Sequence, residues 1–326
     1  MSNPLVTVFG GSGFLGRHVV RALAKAGWRI RVAVRRPNSA YFLTTMGHVG
    51  QIQLMRCNVR DAGQVAAALT GADAAINLVG LLYQKGGQSF TGVHIEAAEC
   101  VAKGAADAHI KTLVHVSAIG ADAESKCRYN ATKGEGEAAV RRAFPDATIL
   151  RPSLLFGPED SFFNKFAWLA RLAPALPLIG GGRTKFQPVF VGDVAAAVQR
   201  AAEDAATRGK TYELGGPTVY TFKELMQEML REIGRRRLLV PIPFLLASVK
   251  AFFLQMSKFI GVPPLLTPDQ VEMLKTNNVV GNNTEGLSAL GVAPVALEAV
   301  IPSYLWRFRP KGQFQEAPTS RAPAPQ

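Results

Sequence analysis

Short apolar runs alternate with amphipathic stretches through the first half of the chain. Leu5 to Phe9, Arg29 to Val34, Gln51 to Asp61, Ala72 to Gly80, Lys111 to Gly120 and Ala147 to Pro158 read as strands. Between them, His18 to Ala26 places Val19, Val20, Leu23 and Ala24 at helical spacing. Gly63 to Leu69, Thr91 to Ala108 and Arg128 to Ala143 read as further helices. Strand and helix in strict alternation predict an α/β fold, a Rossmann-type doubly wound parallel sheet. Beyond Pro158 the pattern changes to Phe, Trp, Leu and Pro, as in SFFNKFAWLARLAPALPL. That shift predicts a first domain over residues 1–157 and a smaller mixed C-terminal domain over 158–308. The run VFVGDVAAAVQRAA reads as a strand and helix returning to the sheet within 186–215. Thr221 and Glu224 form a capping box that opens a helix. Residues 309–326 are rich in Pro and Ala, lack an apolar period, and are expected to be disordered.

The first strand runs into a turn crowded with Gly10, Gly11, Gly13 and Gly16. Gly11-x-Gly13-x-x-Gly16 has the Rossmann spacing, and Gly10-x-x-Gly13-x-x-Gly16 has the short-chain dehydrogenase spacing. Such glycines let the backbone turn sharply and approach a pyrophosphate at the N–H groups opening the helix. The second strand ends on Arg35 and Arg36, and no acidic residue precedes Asp61. NAD sites use a carboxylate there for the ribose 2′-OH, whereas a guanidinium suits a 2′-phosphate. NADP(H) is therefore the expected ligand.

At 326 residues and 48% hydrophobic content, the chain is long enough to bury a full core. Cys57, Cys100 and Cys127 are widely spaced and odd in number, which argues for a reducing compartment and against disulfide or zinc frameworks. The five histidines show no ligand spacing, so no metal site is expected. A net charge of +13 suits an anionic membrane surface or an acidic protein partner. Nucleic acid is not expected, since the basic residues are not interleaved with aromatics and no nucleic-acid-binding motif is present. The arginine-rich N-terminus has a transit-peptide composition, but cleavage there would remove the first strand and the glycine turn.

Tyr129 and Lys133 stand four residues apart on the helix that follows the fifth strand. An ammonium beside a phenol is expected to lower its pKa, so that Tyr129 could exchange the proton that accompanies hydride transfer. Equally, the two side chains could only hold the nicotinamide ribose. The sequence leaves both readings open.

GGSGFLG, YNATK, RPSLLFGPED and VFVGDVAAAV together resemble the atypical short-chain dehydrogenase/reductase superfamily, in its extended NAD(P)-dependent epimerase/dehydratase branch. FPDATILRPSLLFGPEDSFFNKFA, FQPVFVGDVAAAV and the final SYLWRF look like the family of 39-kilodalton accessory subunits of respiratory complex I, over residues 4–308. The resemblance implies a bacterial homologue holding NADPH structurally, peripheral on the cytoplasmic face of the inner membrane. It implies other complex I subunits as partners, near the quinone region. It also implies a cofactor site built from Gly10, Ser12, Gly13, Phe14 and Leu15, then Arg35, Arg36, Asn58 and Val59. Leu78, Val79, Ser117, Tyr129, Lys133, Pro152 and Ser153 complete that site. Catalysis, if any, would fall to Tyr129 and Lys133. Two departures bear on it: Ala118 and Ile119 follow Ser117 where the superfamily places a hydroxyl, and Asn77-Leu78-Val79-Gly80 replaces a small Ala-Gly pair. A free-standing NADP-dependent oxidoreductase or epimerase is the alternative.

No acidic residue occurs from Ile233 to Pro268, and Arg235, Arg236 and Arg237 head an apolar stretch broken by Pro241, Pro243, Lys250 and Lys258. It falls short of the roughly 18–20 apolar residues needed to span a bilayer. As a helix, 244–260 would gather Leu245, Val249, Phe252, Phe253, Met256, Phe259 and Ile260 on one face. Such a helix either lies in an anionic membrane interface, with 235–260 as the contact, or packs on its own domain.

Overall fold

The computed structural model describes residues 3–84, 86–248 and 267–314. The chain begins β1 (Leu5–Phe9), α1 (Phe14–Lys25), β2 (Arg29–Val34), β3 (Ile52–Arg56), α2 (Ala62–Leu69), β4 (Ala74–Asn77) and α3 (Ala97–Asp107). It continues through β5 (Thr112–Val116), α4 (Arg128–Ala143), β6 (Thr148–Pro152), β7 (Leu155–Phe156), α5 (Phe162–Leu172), β8 (Ala175–Ile179), β9 (Lys185–Phe186) and β10 (Val189–Phe190). Next come α6 (Val191–Glu203), β11 (Thr211–Leu214), β12 (Tyr220–Thr221), α7 (Phe222–Glu232) and β13 (Leu238–Ile242).

Seven strands form one parallel sheet in the order β11-β6-β5-β4-β1-β2-β3. Val6 of β1 lies between Ile30 of β2 and Ala74 of β4. The central strands β1, β4 and β5 are buried on both faces, which is why they read as near-continuous apolar runs. On one face Val19, Val20 and Leu23 of α1 pack with Val194, Val198 and Ala201 of α6. On the other, Val65 and Leu69 of α2 meet Val101 of α3 and Val140 of α4. Truncating a fully buried side chain such as Leu23 to Ala should cost about 2–5 kcal/mol. Chain order reverses between β1 and β4, and the carboxyl ends of the strands there form the crevice in which such sheets bind ligands.

A separate core follows Pro152. Phe156, Phe163 and Phe222 pack with Leu176, Met226, Met229 and Leu305. Phe162 and Phe163 meet edge to face, centroids 5.1 Å apart. The buried Asp160 carboxylate accepts the N–H groups of Phe163, at 2.7 Å, and Asn164, at 3.2 Å, opening α5. Its other oxygen accepts from the Tyr304 hydroxyl at 2.6 Å, so the SYLWRF segment is tied back onto this core.

Four expectations change. The run read as one strand over 147–158 divides into β6 and β7, because the chain leaves the sheet at Ser153. Val189–Phe190 pairs with β7 instead of joining the main sheet; the strand that returns is β11, beside β6. The segment Pro37–Met46, with no predicted element, winds as 3₁₀ turns that bury Ala40 and Leu43. Their three-residue spacing suits that tighter helix. Arg309 is not part of a disordered tail: it is buried and ion-paired with Glu232, and it donates to the Glu232 carbonyl at 3.0 Å.

The arginine triplet also departs from a free cationic patch. Arg235 donates to the Phe308 carbonyl at 3.1 Å and Arg237 to the Ala170 carbonyl at 2.8 Å, leaving Arg236 exposed. Of the predicted helix over 244–260, residues 244–248 are helical; Val249, Phe252, Phe253, Met256, Phe259 and Ile260 lie outside the described residues. No described helix is long and apolar enough to cross a membrane.

Candidate dinucleotide-binding site

The turn after β1 is built for close approach. Gly10 has φ of +80°, and a Cβ there would meet the Leu78 and Val79 backbone at 3.2–3.3 Å. That contact joins the turn to the loop after β4, across the point where strand order reverses. Gly16 is glycine for internal packing, since its Cβ would sit 2.5 Å from the Gly10 carbonyl. Gly13 differs. Its Cβ would touch only the Gly10 carbonyl oxygen, at 3.3 Å, so the protein leaves open the space in front of it. Gly13 directly precedes α1, whose first N–H groups face that opening. Ser12, Phe14 and Leu15 complete the turn and the first residues of α1.

The other expected residues share the same sheet edge. Asn58 and Val59 follow β3, Leu78 and Val79 follow β4, and Ser117 follows β5. Pro152 ends β6, and Ser153 follows it. The Asn58 N–H donates to Gln64 at 2.9 Å, which fixes the turn out of β3. The Asn77 side chain accepts the Val79 N–H at 3.1 Å and so shapes the loop that faces Gly10. Pro152 accepts from the Ile119 N–H at 3.1 Å, and the Ser153 hydroxyl donates to the Asn278 side chain at 2.6 Å. Arg35 and Arg36 are exposed at the end of β2. The Ser117 hydroxyl is buried and has no hydrogen-bond partner among the described residues. A buried unpaired hydroxyl is costly unless a ligand answers it.

Tyr129 and Lys133 lie on α4, both buried. Lys133 Nζ donates to the Val116 carbonyl at 3.1 Å and comes within 3.9 Å of where a Gly80 Cβ would be. It is therefore placed between the ends of β4 and β5. Burial draws its pKa down to about 8, with Glu137 opposing. The expected lowering of the Tyr129 pKa is reversed: burial pushes its hydroxyl up to about 12. The phenol packs against Phe90 and Cys127, with Ala118 and Met273 nearby. In that apolar setting desolvation dominates, with Cys127 adding to it, and the Lys133 ammonium is itself engaged by a carbonyl.

Sequence reading missed His94. The Leu81 N–H donates to its Nε2 at 3.1 Å, which leaves Nδ1 carrying the proton toward Thr132 Oγ1 at 3.0 Å. Its ring stands edge-on to Tyr129 with centroids 5.4 Å apart. No local motif could reveal this, because the residues it joins belong to the loop after β4 and to α4. His94 and His115 are both buried, and burial lowers each to about 3, with Lys133 contributing. The cysteines are free, and burial pushes Cys57 up to about 11, unlike an activated thiol. Among the described residues no group of His, Cys, Asp and Glu could hold a metal ion.

A glycine turn, a helix N-terminus with open space before it, and an unpaired hydroxyl at one sheet edge fit a nicotinamide dinucleotide. The model of the NAD dependent epimerase/dehydratase family matches residues 6–215. The chain belongs to the NAD dependent epimerase/dehydratase family. The match runs from Val6 of β1 through β11, and so reaches all seven sheet strands. The chain is 37% identical over 320 residues to mitochondrial NADH dehydrogenase (ubiquinone) 1 alpha subcomplex subunit 9 of Arabidopsis thaliana, covering 96% of this chain and 80% of that protein. It is 31% identical over 314 residues to the mitochondrial NADH-ubiquinone oxidoreductase 40 kDa subunit of Neurospora crassa, covering 96% and 82%. Among solved structures, triphenylmethane reductase of Citrobacter sp., complexed with NADP(H), aligns with a TM-score of 0.72 at 20% identity, covering 92% of this chain and 99% of that one. That likeness is one of fold.

Proposed function

We propose that the chain is an NADPH-carrying accessory subunit of respiratory NADH:ubiquinone oxidoreductase, with a structural or assembly role. The observation that carries this reading is the similarity to subunits of that enzyme across nearly the whole chain, second lobe included. The site supports it. Tyr129 is buried with its pKa raised to about 12, and Ala118 stands beside Ser117, so the proton-transfer side is poorly equipped while the cofactor side is well built. Arg35 and Arg36, with no carboxylate at the end of β2, favour a 2′-phosphate.

The contact with the rest of the enzyme is proposed to run through the second lobe, peripheral to the membrane and toward the quinone region. Leu172, Leu238 and Leu245 are 67%, 72% and 78% exposed, and Trp168 is 50% exposed. Leu238 donates its N–H to the Pro174 carbonyl, which brings β13 against the end of α5. Arg171 and Arg236 supply positive charge beside these residues. Purifying the tagged native chain from its host tests the reading: a large respiratory complex with stoichiometric NADPH is expected. A free protein that turns over NADPH with a small carbonyl would overturn it in favour of an oxidoreductase.

A further inference from the structure

Two residues outside the expected site, Gln88 and Arg60, are linked through the short segment Gly87–Gln88. Gln88, in the loop between β4 and α3, lies against the Arg35 guanidinium; with its amide oxygen turned that way it accepts from Nη1 and, at 3.0 Å, from Nη2. The adjacent Gly87 carbonyl accepts from Arg60 Nη1 at 3.5 Å. Consecutive residues of one segment thus touch guanidinium groups from the ends of β2 and β3. Neighbouring Cα atoms are only about 3.8 Å apart, so one short segment links the loops that carry the two cations. None of the ion pairs among the described residues involves Arg35, Arg36 or Arg60. The turn carrying the first two is fixed, because the Arg36 carbonyl accepts from both the N–H and the hydroxyl of Ser39.

Cations at the end of β2 that pair with no carboxylate among the described residues suit an anionic ligand. We propose that Arg60 and Gln88 complete a phosphate-monoester subsite begun by Arg35 and Arg36. Arg60 adds a cation from the end of β3, and Gln88 is a positioning residue that orients the Arg35 fork. The inference rests on the NADPH reading and names the residues that make it selective. When the amide oxygen of Gln88 faces Arg35, its NH₂ group remains available to a phosphate oxygen. A ribose 2′-OH offers these groups no charge, so they discriminate between cofactors without serving the pyrophosphate.

The test is equilibrium binding of the full-length protein to NADPH, NADH, 2′-AMP and 5′-AMP. Arg60→Ala should weaken NADPH and 2′-AMP about tenfold while NADH and 5′-AMP change less than about twofold, as loss of one charge-assisted contact predicts. Arg60→Lys should recover part of that loss. Gln88→Ala should weaken NADPH by roughly threefold or more with NADH unchanged, as loss of a neutral contact predicts. Arg60 is exposed and Gln88 half-buried, so melting temperatures should match the parent. Equal weakening of NADPH and NADH, or no change in NADPH, would overturn the subsite while leaving the parent's NADPH preference standing. Equal affinity of the parent for both cofactors would instead overturn the NADPH reading itself.

Discussion

Lys133 donates to the carbonyl of Val116 at 3.1 Å, across the gap between α4 and the end of β5. The ammonium is thereby committed to the protein backbone near the expected nicotinamide ribose. It serves better as an anchor than as the activator of a phenol whose pKa burial has raised. Tyr129→Phe is therefore expected to leave NADPH retention and assembly intact. If Tyr129 were a working acid, the same change would lower a measured reductase rate by about 10²–10⁴-fold.

Removing both arginines at the end of β2 tests the choice of cofactor. The parent is expected to bind NADPH at least about tenfold more tightly than NADH, and Arg35→Ala with Arg36→Ala should erase that preference, since each contact contributes about 1.5–3 kcal/mol. Calorimetric titration with both cofactors gives the ratio directly.

Two glycines of the turn should fail differently. Gly13→Val would place its branches in the opening before α1, abolishing binding with little loss of stability. Gly16→Val would drive a side chain into the Gly10 carbonyl and should lower the melting temperature before any ligand is added. Melting curves with and without NADPH separate the two.

The buried histidines predict acid sensitivity. Their pKa values are depressed to about 3, so the unfolded chain binds more protons as pH falls below about 6.5. The stability associated with neutral His94 and His115 is complete above that point and is lost as pH drops toward 3. Each contributes a slope approaching about 1.4 kcal/mol per pH unit once its unfolded form is protonated. Denaturant unfolding between pH 7 and 5 should show the loss, and His94→Gln should reduce the slope.

The exposed face of the second lobe can be tested within the described residues. Leu172→Ser with Leu238→Ser should leave folding and NADPH binding unchanged, because both side chains are mostly exposed. Association with the respiratory complex, or with anionic vesicles, should weaken. Unaltered association would move the contact elsewhere on the molecule.

The sheet was legible because its central strands are buried on both faces and its helices repeat at helical spacing. Helix α4 begins and ends where Arg128 and Ala143 were expected, and the capping box at Thr221 and Glu224 is formed. The glycine turn was equally plain, since its chemistry lies within a few consecutive residues. What escaped depends on distant partners. Whether Tyr129 sits in an apolar pocket is decided by Phe90 and Met273, and Arg235 meets Phe308 only after the chain has folded back. Arg60 reads as one surface arginine among many until Gly87 is placed beside it.

The bond from Tyr304 to Asp160 has a bearing on how this chain is made. Asp160 waits 144 residues for the phenol that shares its buried site. At about 5–20 residues per second, that interval lasts roughly 7–30 s on the ribosome. During it the Rossmann strands can assemble and α5 can meet Phe222 of α7, but the part of this lobe covered by Tyr304, Leu305 and Phe308 stays open. Newly made chains would therefore present an apolar, half-finished lobe to chaperones. Premature stop codons shortly before Tyr304 should yield products that bind cofactor yet are held by folding factors and degraded.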